Sequence, residues 1–378
     1  IIVDDDEELY NRIKIQRNLS RYNNKILVLT IAPTLGCNFK CSYCYESGRI
    51  PKNMDSSVVE GIYKFIANFV GLQALRITWY GGEPLLKYNL IKQMSLRLIK
   101  EFPDYQAAMI TNGYLLSENV CRNLSKLKIT QLQITLDGLQ HTHNQRRPHK
   151  YNQDSFQRII SNLELLFNIC PNIGVVIRVN TDKSNQHEYQ SLYQFLSNRF
   201  KGKRIHIQPG YVTDTFSEER NPSCMKSCDK VAFILHQQKN NIPIPTYPRS
   251  EYGECSARHI NSFVVGPQGE LYKCWNDIGN LENSIGSVFD FKMSHPLTVR
   301  YLMKADPLSS QECKECFFFP VCNGGCPYTR INSLSENNAD TCELYKENIE
   351  DFLYASYLSK NKENEKNAYS SVKSNFVD

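Results

Sequence analysis

The sequence predicts an α/β fold in which six parallel strands curl toward a partial barrel, followed by a small cysteine-rich domain. Short apolar segments rich in β-branched residues alternate with amphipathic helical segments between residues 26 and 211. Six βα units in a row imply a parallel sheet with right-handed crossovers. Six units are fewer than the eight that close a full barrel. The last third of the chain instead carries seven cysteines at organised spacings, which predicts a separate domain.

Composition bounds the possible classes of protein. The 378 residues are 41% hydrophobic and 22% charged, as in ordinary globular proteins, and exceed the size of one typical domain. The net charge of +5 is too mild to indicate nucleic-acid binding. No apolar run approaches the ~20 residues that span a bilayer. Fourteen cysteines without an export signal favour metal or redox chemistry over disulfides, so we expect a low-oxygen cytoplasm.

The elements follow in order along the chain. Residues 1–25 predict a solvated lead-in helix that Asp6 caps and that ends near Arg17. Short apolar runs then predict strands that are buried on both faces. A capping box at Ser57–Glu60 begins the first helix after the first strand. The predicted strands cover residues 26–33, 75–80, 107–111, 131–136, 175–180 and 204–208.

Three cysteines follow the first strand at C-x3-C-x2-C spacing, namely Cys37, Cys41 and Cys44. Iron–sulfur clusters normally take four cysteines. Three thiolates would leave one iron of a cubane without a protein ligand and open to a substrate or cofactor. Structural zinc needs four closed ligands, and a disulfide framework needs an exported chain. The spacing therefore predicts an iron–sulfur cluster with one open iron.

Polar motifs stand where the later predicted strands end, which is where parallel α/β barrels place their functional residues. Glycines permit close backbone approach, although Gly-Gly alone also suits a tight turn. Asn-Gly is likewise a common turn. The motifs are Gly81-Gly82-Glu83-Pro84, Thr111-Asn112-Gly113, Thr135-Leu136-Asp137-Gly138 with His143–Arg147 after it, and Arg178-Val179-Asn180.

These motifs resemble the radical S-adenosylmethionine (SAM) family, whose cysteine loop carries an aromatic residue before the last Cys, here Tyr43. The resemblance implies a six-stranded partial barrel and a cluster whose open iron is chelated by SAM. One-electron reduction then cleaves SAM to a 5′-deoxyadenosyl radical that abstracts hydrogen from the substrate. The cofactors carry this chemistry, and the protein orients them. By resemblance, the SAM contacts are Tyr43, Gly81, Gly82, Glu83, Pro84, Asn112, Thr135, Arg147 and Arg178.

The resemblance also implies individual roles. Glu83 would accept from the SAM ammonium group, and Asn112 would hydrogen-bond to SAM. Arg147 would pair with the SAM carboxylate through its planar fork, with Arg178 as its rival. A structural role is the alternative for either arginine. Asp137 would contact the ribose or the substrate radical. The chain departs from the family pattern at Asn144, where the family has Asp, which leaves the role of Arg147 open.

The cysteines of the last third resemble the SPASM extension of radical SAM enzymes that modify peptides, which binds one or two auxiliary 4Fe–4S clusters. The resemblance assigns Cys313, Cys316, Cys322 and Cys342 to an outer cluster, and Cys255, Cys274 and Cys326 to an inner one. The inner set lacks a fourth cysteine, so its iron is open or is bound by Cys224 or Cys228. A zinc ribbon is the alternative for this region. Apolar residues around a Gly/Pro turn at 263–272 predict a hairpin that delivers Cys274.

The predicted organisation is a lead-in segment (1–25), a radical SAM partial barrel (26–211), a bridge (212–254), a SPASM domain (255–345) and a helix end with a polar, disordered tail (346–378). The expected function is maturation of a ribosomally made peptide by a thioether or carbon–carbon cross-link or another oxidation. The alternative is an anaerobic sulfatase-maturating enzyme that forms formylglycine from Cys or Ser, and the third is a non-catalytic iron–sulfur or zinc protein. Flavodoxin or ferredoxin is the expected electron donor.

Overall fold

The computed structural model describes residues 5–46, 48–152, 154–213, 223–244, 255–332, 342 and 344–358. The strands are β1 (Ile26–Ile31), β2 (Ala74–Trp79), β3 (Asp104–Thr111), β4 (Ile129–Thr135), β5 (Gly174–Thr181), β6 (Ile205–Tyr211), β7 (Ser262–Val265), β8 (Leu271–Tyr272), β9 (Gly286–Ser287) and β10 (Asp290–Phe291). The helices are α1 (Asp6–Arg21), α2 (Ser56–Ala67), α3 (Tyr88–Glu101), α4 (Glu118–Leu124), α5 (Gln140–Arg146), α6 (Ser155–Ile169), α7 (Tyr189–Arg199), α8 (Ser227–Lys239), α9 (Pro296–Val299), α10 (Gln311–Lys314), α11 (Pro327–Asn332) and α12 (349–358).

The main sheet confirms the predicted α/β class. Its order is β6-β5-β4-β3-β2-β1-β7-β8, and the first six strands of the chain are parallel to their neighbours. β6 and β8 are its edges, so the described part of the chain forms an open sheet and not a closed barrel. β7 adds to β1 in parallel and pairs with β8 in antiparallel fashion, which confirms the hairpin before Cys274. The cysteine-rich region thus begins inside the barrel sheet.

The prediction that the strands are buried on both faces is wrong. In β1, the side chains of Leu27, Leu29 and Ile31 are fully buried against the helices, and the alternate residues are only half-buried. β5 alternates in the same way, with Arg178 and Asn180 on its half-buried face. Helices therefore cover one face of the sheet, and the other face is only half-buried.

The helices bury the predicted apolar stripes. In α2, Val58, Ile62 and Phe65 are among the buried residues. Its cap differs from the prediction, because the helix begins at Ser56 and the side chain of Asp55, not that of Ser57, accepts from the backbone N–H of Val58. A single aspartate satisfies one of the free N–H groups at the helix start, so the capping box is not needed.

The first helix is not the solvated lead-in that was predicted. α1 is capped by Asp5 and extends to Arg21, and Arg17 and Arg21 are each 1% exposed. The guanidinium of Arg21 binds both carboxylate oxygens of Asp306 at 2.5 and 3.0 Å. Arg17 donates to the backbone oxygen of Cys322 at 2.6 Å. Two arginines spaced by four residues therefore hold α1 against the cysteine-rich region.

Two remaining expectations concern the membrane and the chain end. No helix in the described ranges has both the length and the apolar character needed to cross a bilayer. The predicted disordered tail, residues 360–378, lies outside the described residues.

Of the predicted bridge, the described portion contains α8, in which Val231, Phe233 and Ile234 are buried. The predicted domain boundaries themselves stay a prediction.

We expect Arg21→Ala to lower the free energy of unfolding by about 3–5 kcal/mol, because it leaves the carboxylate of Asp306 buried without its cation. Arg12→Ala is the matched control, since Arg12 is exposed on the same helix and its loss should change the value by less than about 0.5 kcal/mol. Urea unfolding of both variants at equal iron content measures the difference. Equal, small losses would show that the ion pair contributes nothing.

Candidate functional site

The loop after β1 carries the three predicted cluster cysteines and packs directly against the Gly-Gly turn after β2. Gly82 donates its N–H to the backbone oxygen of Thr34 at 3.1 Å, and Glu83 donates to that of Gly36 at 2.9 Å. Gly81 has φ +110°, and a Cβ there would lie 2.3 Å from the Thr34 oxygen. A Cβ on Gly82 would lie 2.4 Å from the Gly36 oxygen. Both glycines are therefore required for the contact between turn and cysteine loop.

Glu83 is a buried carboxylate that joins two strand ends. It is 0% exposed and accepts from Thr111 Oγ1 and Asn112 N–H at 2.7 Å each, and from Leu85 N–H at 3.0 Å. Burial raises the pKa of Glu83, and these three hydrogen bonds oppose the rise. A carboxylate offers about four lone-pair sites, so one acceptor position is left. Its contact with the SAM ammonium group stays a prediction.

Asn112 holds the cysteine loop through its side-chain amide. Its Nδ2 donates to Asn38 Oδ1 at 2.7 Å and lies 3.9 Å from Cys37 Sγ. Its Oδ1 accepts from the backbone N–H of Tyr114 at 3.0 Å. The residue is 5% exposed. The amide thus positions the first cysteine, and its predicted hydrogen bond to SAM is not tested by these contacts.

Tyr43 links the cysteine loop to the ends of β4 and β5. Its hydroxyl accepts from Arg147 Nη1 at 2.6 Å and from Asn180 Nδ2 at 3.0 Å, and the Asp137 carboxylate lies close by. Burial raises the pKa of Tyr43 well above its ordinary value, with the Arg147 cation opposing. The hydroxyl therefore stays protonated and can donate to the carboxylate. Sequence reasoning assigned Tyr43 by motif and did not foresee this role of its hydroxyl.

Asp137 is fully buried at the end of β4. Its Oδ1 accepts from the Asn180 N–H at 3.2 Å, and its Oδ2 lies 3.6 Å from Arg146 Nε. Burial raises the pKa of Asp137, and the nearby Arg147 cation is the largest opposing influence. Arg146 also pairs with Asp182 at 2.8 Å. The sequence did not reveal this role of Arg146. Its partners, Asp137 and Asp182, follow different strands, and only the fold brings them together. The catalytic role of Asp137 stays a prediction.

The two candidate arginines for the SAM carboxylate point to different places. Arg147 is 8% exposed and binds Tyr43, and its cation partly opposes the rise in the pKa of the Cys41 thiol that burial causes. Arg178 lies on the half-buried inner face of β5, where its Nε donates to Asn180 Oδ1 at 2.8 Å. A Cβ on Gly210 would lie 2.4 Å from that Nε, so a glycine makes room for the guanidinium. The geometry favours Arg178 as the ligand-facing arginine, and both assignments stay predictions.

Two further residues of the predicted cofactor set contribute mainly to the shape of the loops. Pro84 is buried and starts a 3-10 turn over Pro84–Lys87, where its missing N–H costs no hydrogen bond. Thr135 is buried at the last position of β4 and pairs with Arg178 of β5 in the sheet register. Neither residue presents an open polar side chain, and their predicted contacts with SAM are not tested.

The three thiols of the loop suit an iron–sulfur cluster in their chemistry. Burial raises the pKa of Cys37 to about 12 and also raises the pKa values of Cys41 and Cys44. Phe39 N–H points at Cys37 Sγ at 3.4 Å. Thiols with raised pKa values become thiolates only when a cation compensates them, and metal coordination does this. In the described chain, no three His, Cys, Asp or Glu side chains meet around one metal-ion position, so the assignment stays a prediction.

The later cysteines form two neighbourhoods. Burial raises the pKa of Cys274, and the charges of Asp277, Cys326 and Cys255 add to the rise, so the three inner cysteines share one neighbourhood. Lys346 lies among Cys313, Cys316 and Cys342 of the outer set, with its Nζ 3.7 Å from Cys342 Sγ. Cys322 Sγ accepts from the Gly324 N–H at 3.2 Å. Cys224 and Cys228 flank the start of α8, and the choice between them and an open inner iron stays open.

An arginine contacts a sulfur of the outer set. Arg330 places Nη1 and Nη2 at 3.8 and 3.7 Å from Cys313 Sγ, and its Nη1 also donates to the backbone oxygen of Gly324 at 3.1 Å. Hydrogen bonds to cluster sulfurs raise a reduction potential, because they stabilise the more negative, reduced state. Arg330 is a residue that spacing alone did not reveal.

Aromatic rings lie between the two cysteine systems. Burial raises the pKa of the Tyr80 phenol, and the charges of Cys44 and Cys274 raise it further, so Tyr80 lies near both. Trp275 stacks on Tyr80 with ring centroids 5.9 Å apart and planes inclined by 26°. Trp275 is 46% exposed. We call these two rings the aromatic wall, and the region between Cys44 and Cys274 the gap.

Asp277 does not face this gap. It is 2% exposed, its Oδ2 accepts from the Tyr301 hydroxyl at 2.9 Å, and its Oδ1 accepts from Asn283 Nδ2 at 2.7 Å. Burial raises its pKa, and the two hydrogen bonds oppose the rise. The carboxylate is therefore a structural group of the loop after Cys274.

The comparisons with known proteins agree with this arrangement. The family model of the Radical SAM superfamily matches residues 31–196. The cysteine-type anaerobic sulfatase-maturating enzyme of Clostridium perfringens (strain 13 / Type A) is 24% identical over 363 residues, which cover 86% of this chain and 95% of that protein.

Two solved structures share the fold. Native anSMEcpe with bound AdoMet and Cp18Cys peptide has a TM-score of 0.69 at 20% identity, and covers 89% of this chain and 99% of its own. Streptococcus suis SuiB bound to S-adenosylmethionine has a TM-score of 0.58 at 16% identity, and covers 86% of this chain and 79% of its own. At these identities the likeness shows the fold alone.

Tyr43→Phe should lower the free energy of unfolding by about 1–3 kcal/mol, because the buried groups of Arg147 and Asn180 lose their acceptor. Tyr354→Phe, at a ring that is 64% exposed, is the control and should change it by less than about 0.5 kcal/mol. Chemical denaturation of both variants, compared at equal iron content, checks the difference. An unchanged Tyr43→Phe protein would contradict the assigned linkage.

Arg330→Gln should lower the midpoint potential of an auxiliary cluster, because it removes a cation and its donors from Cys313 Sγ. Each tenfold loss in the equilibrium constant for one-electron reduction of that cluster lowers its midpoint potential by about 59 mV. The readout is a redox titration followed by electron paramagnetic resonance, in a background with Cys37, Cys41 and Cys44 replaced by Ala. Arg204→Gln, at an exposed arginine before β6, is the control. Equal potentials in both variants would remove Arg330 from this role.

Proposed function

We propose that this chain, a radical SAM enzyme with a SPASM domain, oxidises a cysteine or serine side chain of a peptide or protein to formylglycine. The observation that carries the proposal is the match with a sulfatase-maturating enzyme over 86% of this chain and 95% of that protein. The bound cofactors are SAM, the 4Fe–4S cluster that binds it, and auxiliary 4Fe–4S clusters. The enzyme relatives leave a non-catalytic iron–sulfur or zinc protein as the weakest of the three hypotheses.

The oxidation removes two hydrogens from the substrate side chain. When bound, SAM and its cluster supply the radical that takes the first hydrogen atom from Cβ. The second electron and the hydroxyl or thiol proton must also leave the substrate. Auxiliary clusters held by the later cysteines would supply the acceptor for the electron, and water or a base takes the proton. A serine then carries an aldehyde directly, whereas a cysteine carries a thioaldehyde that water converts to the aldehyde with release of sulfide. Each reaction thus balances as a two-electron oxidation.

The residues of this chain position the reaction. Gly81, Gly82 and Glu83 hold the cysteine loop at the strand ends, and Arg178 offers a cation on the open inner face. The aromatic wall of Tyr80 and Trp275 limits access of water from the side of the inner cysteines. The substrate side chain would lie in this gap, within reach of both systems. A low-potential electron-transfer protein, such as flavodoxin or ferredoxin, would supply the initiating electron.

A peptide cross-link is the second candidate, and one observation favours it. Sulfatase-maturating enzymes resemble this chain but carry an Asp directly after the cysteine that corresponds to Cys274, as a candidate base. Trp275 stands there in this chain, and Asp277 is buried by Tyr301 and Asn283. An indole cannot accept the substrate proton. A maturase that forms a thioether or carbon–carbon bond in a ribosomally made peptide would not need a base at that position.

Matched peptides distinguish the two functions. We expect the reconstituted enzyme, kept anaerobic and reduced with SAM, to convert peptides with Cys or Ser at one position into aldehydes that react with a hydrazide probe. The peptide with Ala at that position and the Cys37→Ala enzyme are the controls. Mass spectrometry should show loss of two hydrogens in the Ser product. The same mass loss without hydrazide labelling, mapped to two joined residues, would overturn formylglycine formation in favour of a cross-link.

A further inference from the structure

Basic and aromatic residues lie on the cysteine loop and on the segments next to it, and their side chains are not part of the site described above. Three ring systems form the base of this group. Tyr114 stacks on His149 with centroids 4.1 Å apart and planes inclined by 15°, and Phe39 meets both rings at 5.8 and 5.6 Å. The exposed part, which we call the basic patch, consists of Lys40, Lys150, Tyr151 and Arg158.

The basic patch is connected to the cluster loop by backbone hydrogen bonds. Lys40 donates its N–H to the oxygen of Pro148, and Lys150 donates to the oxygen of Asn38, each at 2.9 Å. Phe39 and His149 form an antiparallel bridge between the two segments. Lys40 directly precedes Cys41 in the sequence. Any protein that covers the patch therefore lies next to the loop of cluster cysteines.

The patch and the aromatic wall belong to different parts of the chain. The patch is built on residues between Cys37 and Cys41 and on the segment after Pro148, whereas the wall pairs Tyr80 with Trp275, which directly follows Cys274. A substrate held at the wall would leave the patch accessible to a second protein. An electron must enter while SAM and substrate are bound, so an entry side separate from the substrate side is what the chemistry requires.

The charge of the patch is uncompensated within the described chain. None of the ion pairs between described residues uses Lys40, Lys150 or Arg158, and all three side chains are exposed. Arg158 lies over the Tyr114 ring at 6.0 Å, which places its charge near the rings. The nearby carboxylate of Asp154 is occupied as the cap of α6 and by side-chain amides.

Tyr151 adds an apolar anchor to this charge. Its side chain is 89% exposed and meets His149 edge to face at 6.0 Å. Exposed tyrosine and arginine side chains are the residue types that dominate binding energy at protein interfaces. Cations around such an anchor attract and orient an acidic partner.

We propose that the basic patch is the docking surface for an acidic one-electron carrier protein of the flavodoxin or ferredoxin type. The carrier gives up one electron to the cluster held by the Cys37–Cys44 loop and is oxidised by one electron, and no atoms are transferred. The inference rests on the radical SAM assignment and not on which peptide is modified.

The test compares two reductants on the cluster-loaded enzyme without peptide. The double variant Lys40→Glu/Lys150→Glu should slow cluster reduction by reduced flavodoxin at least about tenfold at low ionic strength. Reduction by dithionite, a small molecule that needs no docking surface, should be unchanged. The matched control is Lys126→Glu/Arg204→Glu, which reverses two exposed charges at the amino ends of β4 and β6. The neutral double variant Lys40→Gln/Lys150→Gln should show an intermediate rate.

Three results would overturn the proposal. A rate with flavodoxin equal to that of the unmodified enzyme would show that the patch does not dock the carrier. Equal slowing with both reductants, in the Glu and Gln variants alike, would place the effect in the cluster and not in docking. A weaker dissociation constant for an acidic peptide, with an unchanged flavodoxin rate, would make the patch a peptide-binding surface. Because cluster reduction is measured without peptide, these results are independent of whether formylglycine forms.

Discussion

The buried carboxylate of Glu83 is the interaction on which the geometry of the site depends. It receives three hydrogen bonds, two of them from the end of β3, and the backbone N–H of the same residue binds the cysteine loop at Gly36. Burying a carboxylate without such partners would cost several kcal/mol. One residue thus fixes β2, β3 and the loop relative to each other. The glycines before it allow the backbones to approach, and Asn112 adds a contact beside Cys37.

The second constraint is the pairing of β7 with β1. It brings the C-terminal cysteines to the end of the sheet that carries the Cys37–Cys44 loop. β7 pairs with β1, so the hairpin that precedes Cys274 is an extension of the barrel sheet. The buried arginines of α1 hold the first helix against the loops that carry Cys322 and Asp306. Trp275, directly after Cys274, stacks on Tyr80, which follows β2. An enzyme that starts a radical at one cysteine system and removes an electron through another requires this closeness.

Local patterns predicted the repetitive part of the fold well. Six strands and the cysteine hairpin follow from apolar runs and turn residues, which act over a few positions. Long-range pairing could not be read in this way, since Arg21 and Asp306 are 285 residues apart. The motif residues were found in sequence, but their contacts were not. Asn112 and Tyr43 turn out to bind neighbouring protein groups, because a buried polar group needs a partner whether or not a cofactor is present.

The central claim is that hydrogen abstraction from a peptide takes place in the gap between Cys44 and Cys274. A peptide deuterated at Cβ of its single Cys or Ser tests this most directly. The account predicts that 5′-deoxyadenosine recovered after turnover carries deuterium, and that Cβ-protonated peptide gives unlabelled 5′-deoxyadenosine. SAM cleavage that yields only unlabelled 5′-deoxyadenosine from the deuterated peptide, while that peptide is modified, would contradict it.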